Sequence, residues 1–157
     1  MSEITAPRFE NGRAMLMAGL RVHHGYDEAA TAIPAQWARF ARLLPLPGQV
    51  GRQDYGVMCG GDVAARRFEY MTAAEVERFD GLPQDLDRMK IPEAHYAVFT
   101  HVGHVSGLRR TWAAIHEWLP TSGWKSAASP DFERYGPGFD PVTGLGDMEI
   151  WFPVVRP

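Results

Sequence analysis

Three glutamates, each set among aromatic or methionine side chains in short runs of strand-like spacing, are the residues best suited to chemistry in this sequence. They are Glu69 in Arg67-Phe68-Glu69-Tyr70-Met71, Glu133 in Asp131-Phe132-Glu133-Arg134-Tyr135, and Glu149 in Met148-Glu149-Ile150-Trp151-Phe152. A carboxylate between aromatic walls suits a flat cationic or polarised organic molecule. Ring faces attract positive charge, and a desolvated acid completes its neutralisation. The same residues also suit a surface on which the acids are solvated and the aromatics cover a dimer interface. Residue type alone leaves the two alternatives level and a homodimer open.

The elements that position these acids show a repeat. Ile33, Trp37, Phe40 and Leu44 share one stripe of a helix expected over about Asp27 to Leu44. Leu108, Trp112, Ile115 and Leu119 do the same over about Ser106 to Leu119. Each helix is stopped by a proline, Pro45 in Leu44-Pro45-Leu46-Pro47-Gly48 and Pro120 in Leu119-Pro120-Thr121-Ser122-Gly123, because proline lacks the donor a helix needs. A strand-like run precedes each helix, Met15 to Gly25 and His95 to Gly103, and a pair of short runs follows. In the first half these are Asp54 to Met58 and Arg67 to Met71; in the second, Asp131 to Tyr135 and Met148 to Phe152. Each half therefore reads strand, helix, strand, strand. The polar segment Thr72 to Glu93, broken by Gly81-Leu82-Pro83 and Ile91-Pro92, reads as a linker. The expected fold class is α+β, with residues 1–157 as one domain and the repeat at about 13–71 and 94–155.

A helix must cover one face of each half, and strand side chains alternate between faces. Met148, Ile150 and Phe152 are expected beneath the helices, as are Phe68, Tyr70 and Phe132. The opposite face then collects Glu69, Glu133 and Glu149 with Tyr135, Trp151, Met71 and Met58. Trp37 and Trp112 match across the repeat; their default role is core packing, and at the helix seam they could also line a groove.

Bulk properties exclude several classes. The 157 residues are 45% hydrophobic and 22% charged, as in an ordinary globular domain. A net charge of -3 argues against a nucleic-acid surface, and Arg109-Arg110 is too small a basic cluster to supply one. The single cysteine, Cys59, rules out an internal disulfide and fits a reducing cytoplasm. The N-terminus carries no apolar signal segment, and no run is long enough to span a membrane. Cys59 has no positive sequence neighbour to lower its pKa and reads as a small buried filler. Gly56 to Gly61 lacks the strand-then-helix setting of a phosphate loop. His23-His24 and His101-Val102-Gly103-His104 fall short of a zinc ligand set, so neither metal nor other cofactor is expected.

The second half carries a resemblance. Tyr96-Ala97-Val98-Phe99, His101-Val102-Gly103, Trp112, Trp118-Leu119-Pro120-Thr121-Ser122-Gly123, Pro130-Asp131-Phe132-Glu133-Arg134-Tyr135 and Asp147-Met148-Glu149-Ile150-Trp151-Phe152-Pro153-Val154 follow in that order. The combination resembles the GyrI-like small-molecule-binding domain, which is also the effector-binding domain of many AraC- and MerR-type multidrug regulators. The resemblance runs from about Arg13 to Val155 and is weak from Thr72 to Glu93.

It implies two βαββ modules in an antiparallel sheet, both helices on one face, a ligand groove between the modules and a glutamate at its base. The glutamate of the family's Phe-Glu-x-Tyr stretch matches Glu133 here, with Tyr135 beside it. The chain offers no basic segment for a helix-turn-helix domain, so a stand-alone cytoplasmic module is expected. Three functions follow from the resemblance. The first is binding of lipophilic, aromatic, often cationic or electrophilic compounds. The second is hydrolysis of cyclopropane-bearing cytotoxins with Glu133 and Tyr135 as catalytic groups. The third is inhibition of DNA gyrase as a protein partner.

Overall fold

The computed structural model describes residues 4–157, which fall into two compact units: Ala14–Ile91, and the residues up to Arg13 together with Pro92–Pro157. The fold is α+β, and every strand pairing within each unit is antiparallel.

The first unit holds β2 (Met15–Gly25), α1 (Ala29–Ala41), β3 (Asp54–Asp62), β4 (Arg67–Val76) and β5 (Asp87–Ile91), with its strands in the order β3-β4-β2-β5. The second holds β1 (Arg8–Gly12), β6 (Ala94–His101), α2 (Leu108–Trp118), β7 (Lys125–Ser126), β8 (Asp131–Tyr135) and β9 (Met148–Val155). Its strands run β1-β6-β9-β8, and β7 pairs with β9. The expected strand, helix, strand, strand plan is thus present twice. Two edge strands, β1 and β5, were not foreseen, and the segment read as a linker contains the end of β4 and all of β5. Both were hidden because Arg8–Gly12 and Asp87–Ile91 are short and largely polar, as edge strands often are.

In each unit the helix covers one face. On α1, Phe40 is fully buried against Ala18, Ala74 and Val76, with Trp37 packed alongside. On α2, Leu108 and Ile115 are buried, and Trp118 meets Phe99 of β6 edge to face at 5.1 Å. Burying a side chain of this size stabilises by about 1.5–3 kcal/mol, so the apolar stripe is what holds each helix down.

The face turned away from each helix is buried as well. Met17, Val57, Met71 and Ala73 are inaccessible there in the first unit, and Tyr96, Val98 and Phe132 nearly so in the second. Burial pushes the Tyr96 phenol up to about 12, as a desolvated core would. The expectation of an open sheet face opposite the helices is therefore corrected: the central positions of both faces are buried, Glu69, Glu149 and Trp151 are partly exposed, and Arg21, His23 and Thr100 on that face are exposed.

Candidate ligand-binding site

Directly opposed residues of an antiparallel pair point to the same face. Glu133 lies opposite Ile150 and Tyr135 opposite Met148, while Ile150 lies opposite Phe99, the residue that packs on Trp118 of α2. Glu133 and Tyr135 are therefore on the helix side of β8. The expected arrangement is reversed here. Phe132 occupies the far face, stacked on Trp151 with centroids 5.8 Å apart. Phe132 and Tyr135 are both large aromatics on opposite faces, so alternation within β8 is ambiguous; pairing with β9 decides it.

Glu133 is 8% exposed. Its Oε2 accepts a hydrogen bond from Trp112 Nε1 at 3.0 Å and its Oε1 one from Tyr135 Oη at 2.8 Å. Trp112 reaches the carboxylate because Leu108 and Ile115 clamp the same side of α2 to the sheet. Both donors are neutral groups that satisfy oxygen lone pairs of the carboxyl. Trp112 also stacks on His116, centroids 6.4 Å apart, and Tyr135 meets Phe139 edge to face at 5.0 Å. The result is a desolvated carboxylate in an aromatic frame.

The other two glutamates stand differently. Glu149 accepts from Arg8 Nη1 at 2.7 Å, Arg134 Nε at 2.8 Å and Trp151 Nε1 at 3.1 Å. Burial alone would raise its pKa, but these donors outweigh it and hold the carboxyl at about 2. Glu69 accepts from Arg21 Nε at 2.7 Å and pairs with His23 Nε2 at 3.0 Å. As expected, both lie on the face away from their helix, but each carboxylate accepts from arginine. Trp151 is half-buried there, edge-on to Tyr96 at 5.3 Å with the Arg8 guanidinium over its ring at 5.9 Å.

In the first unit, Met71 is fully buried on the far face, as expected for side though not for exposure. Met58 pairs opposite Tyr70 and so lies on the helix face, correcting its expected placement. Trp37 packs edge to face on Phe40 at 6.1 Å and Tyr70 at 6.4 Å, in its default core role.

A family model described as the GyrI-like small molecule binding domain matches residues 5–155. The chain belongs to this GyrI-like family. Among curated relatives, the transcriptional regulator BrlR of Pseudomonas aeruginosa is 28% identical over 125 residues, covering 75% of this chain and 44% of BrlR. The GyrI-like chain thus spans less than half the length of that relative. Among solved structures, SAV2435 bound to tetraphenylphosphonium superposes with a TM-score of 0.75 at 18% identity, over 96% of this chain and 94% of that one. The EcmrR C-terminal domain gives 0.69 at 15% identity, over 96% and 97%. At such identities the likeness shows a shared fold.

Sequence reasoning missed three participants in this GyrI-like domain. Asp131 shares the Glu133 face, which strict period-two counting would have indicated. Burial pushes its carboxyl up to about 6, and the Glu133 charge adds to the rise. Arg8 and Arg134, the guanidinium partners of Glu149, are far from it in sequence and left no local signal. Among the described residues no group of three or more His, Cys, Asp or Glu could hold a metal ion, and no helix is long and apolar enough to cross a membrane.

Proposed function

We propose that this GyrI-like chain acts as a single domain in the cytoplasm and binds lipophilic, aromatic, often cationic or electrophilic small molecules, with Glu133 as the charge-bearing group. The observation that carries this reading is the buried Glu133 carboxylate beneath Trp112 and beside Tyr135. A negative charge in a desolvated aromatic setting favours an incoming organic cation over water. The tetraphenylphosphonium held by SAV2435, which shares the fold, is a ligand of that type.

Calorimetric titration with tetraphenylphosphonium and with triphenylphosphine oxide, a neutral molecule with comparable rings, tests it. Glu133→Gln keeps the shape and removes the charge. The cation should lose about 1.5–3 kcal/mol of binding, and the neutral compound much less. Equal affinities of wild type and variant for the cation would overturn the assignment.

A second reading, hydrolysis of strained cyclopropane-bearing electrophiles, draws on Asp131 and Glu133 sharing one strand face. With Asp131 held nearer its protonated form, the two are the groups an acid–base pair requires. Under that reading Glu133→Gln abolishes turnover while binding of a neutral electrophile stays nearly intact, because the acid acts in the transition state.

A further inference from the structure

The second unit holds an aromatic cluster that the proposed function does not use. Phe9 of β1 lies opposite Ala97 of β6 and Asn11 lies opposite His95, so Phe9, Asn11 and His95 share one face. Trp124, the residue before β7, joins them. Lys125 pairs with Val155, which makes Arg156 the next cross-strand neighbour of Trp124. Ring centroids are 5.9 Å apart for Phe9 and His95, 5.2 Å for Phe9 and Trp124, and 5.3 Å for His95 and Trp124, with all planes within 34° of parallel. His95 Nδ1 donates to Asn11 Oδ1 at 2.7 Å, which fixes the imidazole in that orientation. Three near-parallel rings at similar spacing make a platform, and it is open: Phe9 is 42% exposed, and His95 and Trp124 are half-buried.

The platform already carries a cation. The Arg156 guanidinium carbon sits 3.9 Å from the centroid of the Trp124 ring. Two other arginines lie over rings, Arg8 over Trp151 at 5.9 Å and Arg66 over Tyr26 at 5.4 Å, and each is also tied to a carboxylate. Arg156 sits closer than either, yet among the described residues it has no carboxylate partner. A ring face alone retains this guanidinium, and releasing it breaks no ion pair.

We infer that Phe9, His95 and Trp124 form a surface site for planar organic cations of the amidinium or guanidinium type, with Arg156 as its internal occupant. The site uses none of the groups in the binding function proposed above and does not depend on Glu133. A planar cation stacks on the indole as Arg156 does, since tryptophan offers a cation the most attractive ring face. An aromatic ring attached to that cation extends the contact over Phe9 and His95. Ligand and Arg156 compete for one face, so Arg156 lowers the apparent affinity.

The test titrates benzamidinium, a planar aromatic cation, and benzamide, its neutral isostere, into the full chain. The readout is the Trp124 indole N–H resonance, identified as the signal that Trp124→Leu removes. Benzamidinium should half-saturate the shift at about 1 mM, as expected of a small ligand on an open surface, and benzamide at least about fivefold higher. Arg156→Ala should strengthen benzamidinium binding by about two- to fivefold, the size of one exposed cation–π contact, because the internal competitor is gone. Glu133→Gln should leave the Trp124 titration unchanged. The inference fails if Arg156→Ala leaves the affinity unchanged or weakens it, since Arg156 would then be no competitor. It fails as well if benzamide matches benzamidinium, which would make the cluster a plain apolar patch. An indole signal that moves with protein concentration alone would overturn it by showing that a second copy of the chain covers the rings. Loss of the Trp124 response in Glu133→Gln would do the same by tracing that response to the other site. The binding function is judged separately, by the effect of Glu133→Gln on tetraphenylphosphonium.

Discussion

The two units build the same strand–helix contact with different polar groups beneath the helix. In the first unit Gln36, the residue before Trp37, is fully buried. Its side chain bonds His24 at 2.6 Å and donates to the carbonyls of Leu20 at 2.8 Å and Tyr70 at 3.0 Å. In the second unit Thr111, the residue before Trp112, bonds His101 at 2.7 Å. The histidine-to-helix link is thus made twice. What differs is the neighbouring strand. Where β3 reads Asp54-Tyr55-Gly56-Val57-Met58, β8 reads Asp131-Phe132-Glu133-Arg134-Tyr135. Gly56 and Met58 stand where the second unit has Glu133 and Tyr135. One copy of the plan thus anchors its helix with a neutral amide that is used up on backbone carbonyls. The other holds a buried carboxylate that accepts from Trp112 and Tyr135, a more costly group to bury than an amide. The contrast is between an amide that donates to backbone carbonyls and a carboxylate held by side-chain donors on a shared framework.

The largest test of that contrast is Gln36→Leu. It keeps the volume under α1 but removes three hydrogen bonds from a buried site, those to the His24 ring and to the carbonyls of Leu20 and Tyr70. Urea unfolding should show a loss of about 3 kcal/mol. A loss below about 1 kcal/mol would mean that Gln36 is not the anchor and that the units differ less than their bonding suggests.

Glu149 should give the next largest effect, with a definite pH signature. Its folded pKa of about 2 lies below its ordinary 4.5. The stabilisation is therefore complete above about pH 4.5 and lost as pH falls towards 2. Glu149→Gln should cost about 2 kcal/mol at pH 7, a figure discounted because Arg8 is half-exposed. Thermal melts of wild type and variant should converge near pH 2. A deficit that persists there would assign the loss to packing rather than to the ion pairs.

Asp131 gives the smallest effect and the opposite sign. Its folded value of about 6 exceeds its ordinary 3.8, so the folded chain holds that proton more tightly than the unfolded one. Stability contributed by this group is full below about pH 3.8 and declines as pH rises to about 6. Asp131→Asn should therefore gain about 1–2 kcal/mol at pH 7 and nothing at pH 3.5. A variant no more stable than wild type at pH 7 would show that the carboxylate is not held at a cost. The contrast with Gln36 would then weaken.

Much of this was legible along the chain. The two apolar helix stripes with their proline stops placed α1 and α2, and Met15 to Gly25 and Asp131 to Tyr135 coincide with β2 and β8. The faces of β4 and β9 also followed from alternation, because each has apolar residues on one side of a polar or mixed one. These are local properties: a stripe at 3.6 residues per turn, an alternation of two, a missing donor at proline. That Glu133 falls between Phe132 and Tyr135 was likewise visible in the sequence.

Which way Glu133 points was not local. β8 has an aromatic on each face and both faces are buried, so its own alternation is satisfied by either orientation. Cross-strand pairing with Ile150 and the arrival of Trp112 from α2 set the choice. The same holds for the partners of Glu149, since Arg8 lies 141 positions away and no periodicity connects them. Sequence determined the elements and the chemical types available to them, because those depend on neighbours a few residues apart. Only the tertiary structure decided which carboxylates are neutralised by arginine and which one is held beneath a tryptophan, because burial and charge pairing depend on residues that meet only after folding.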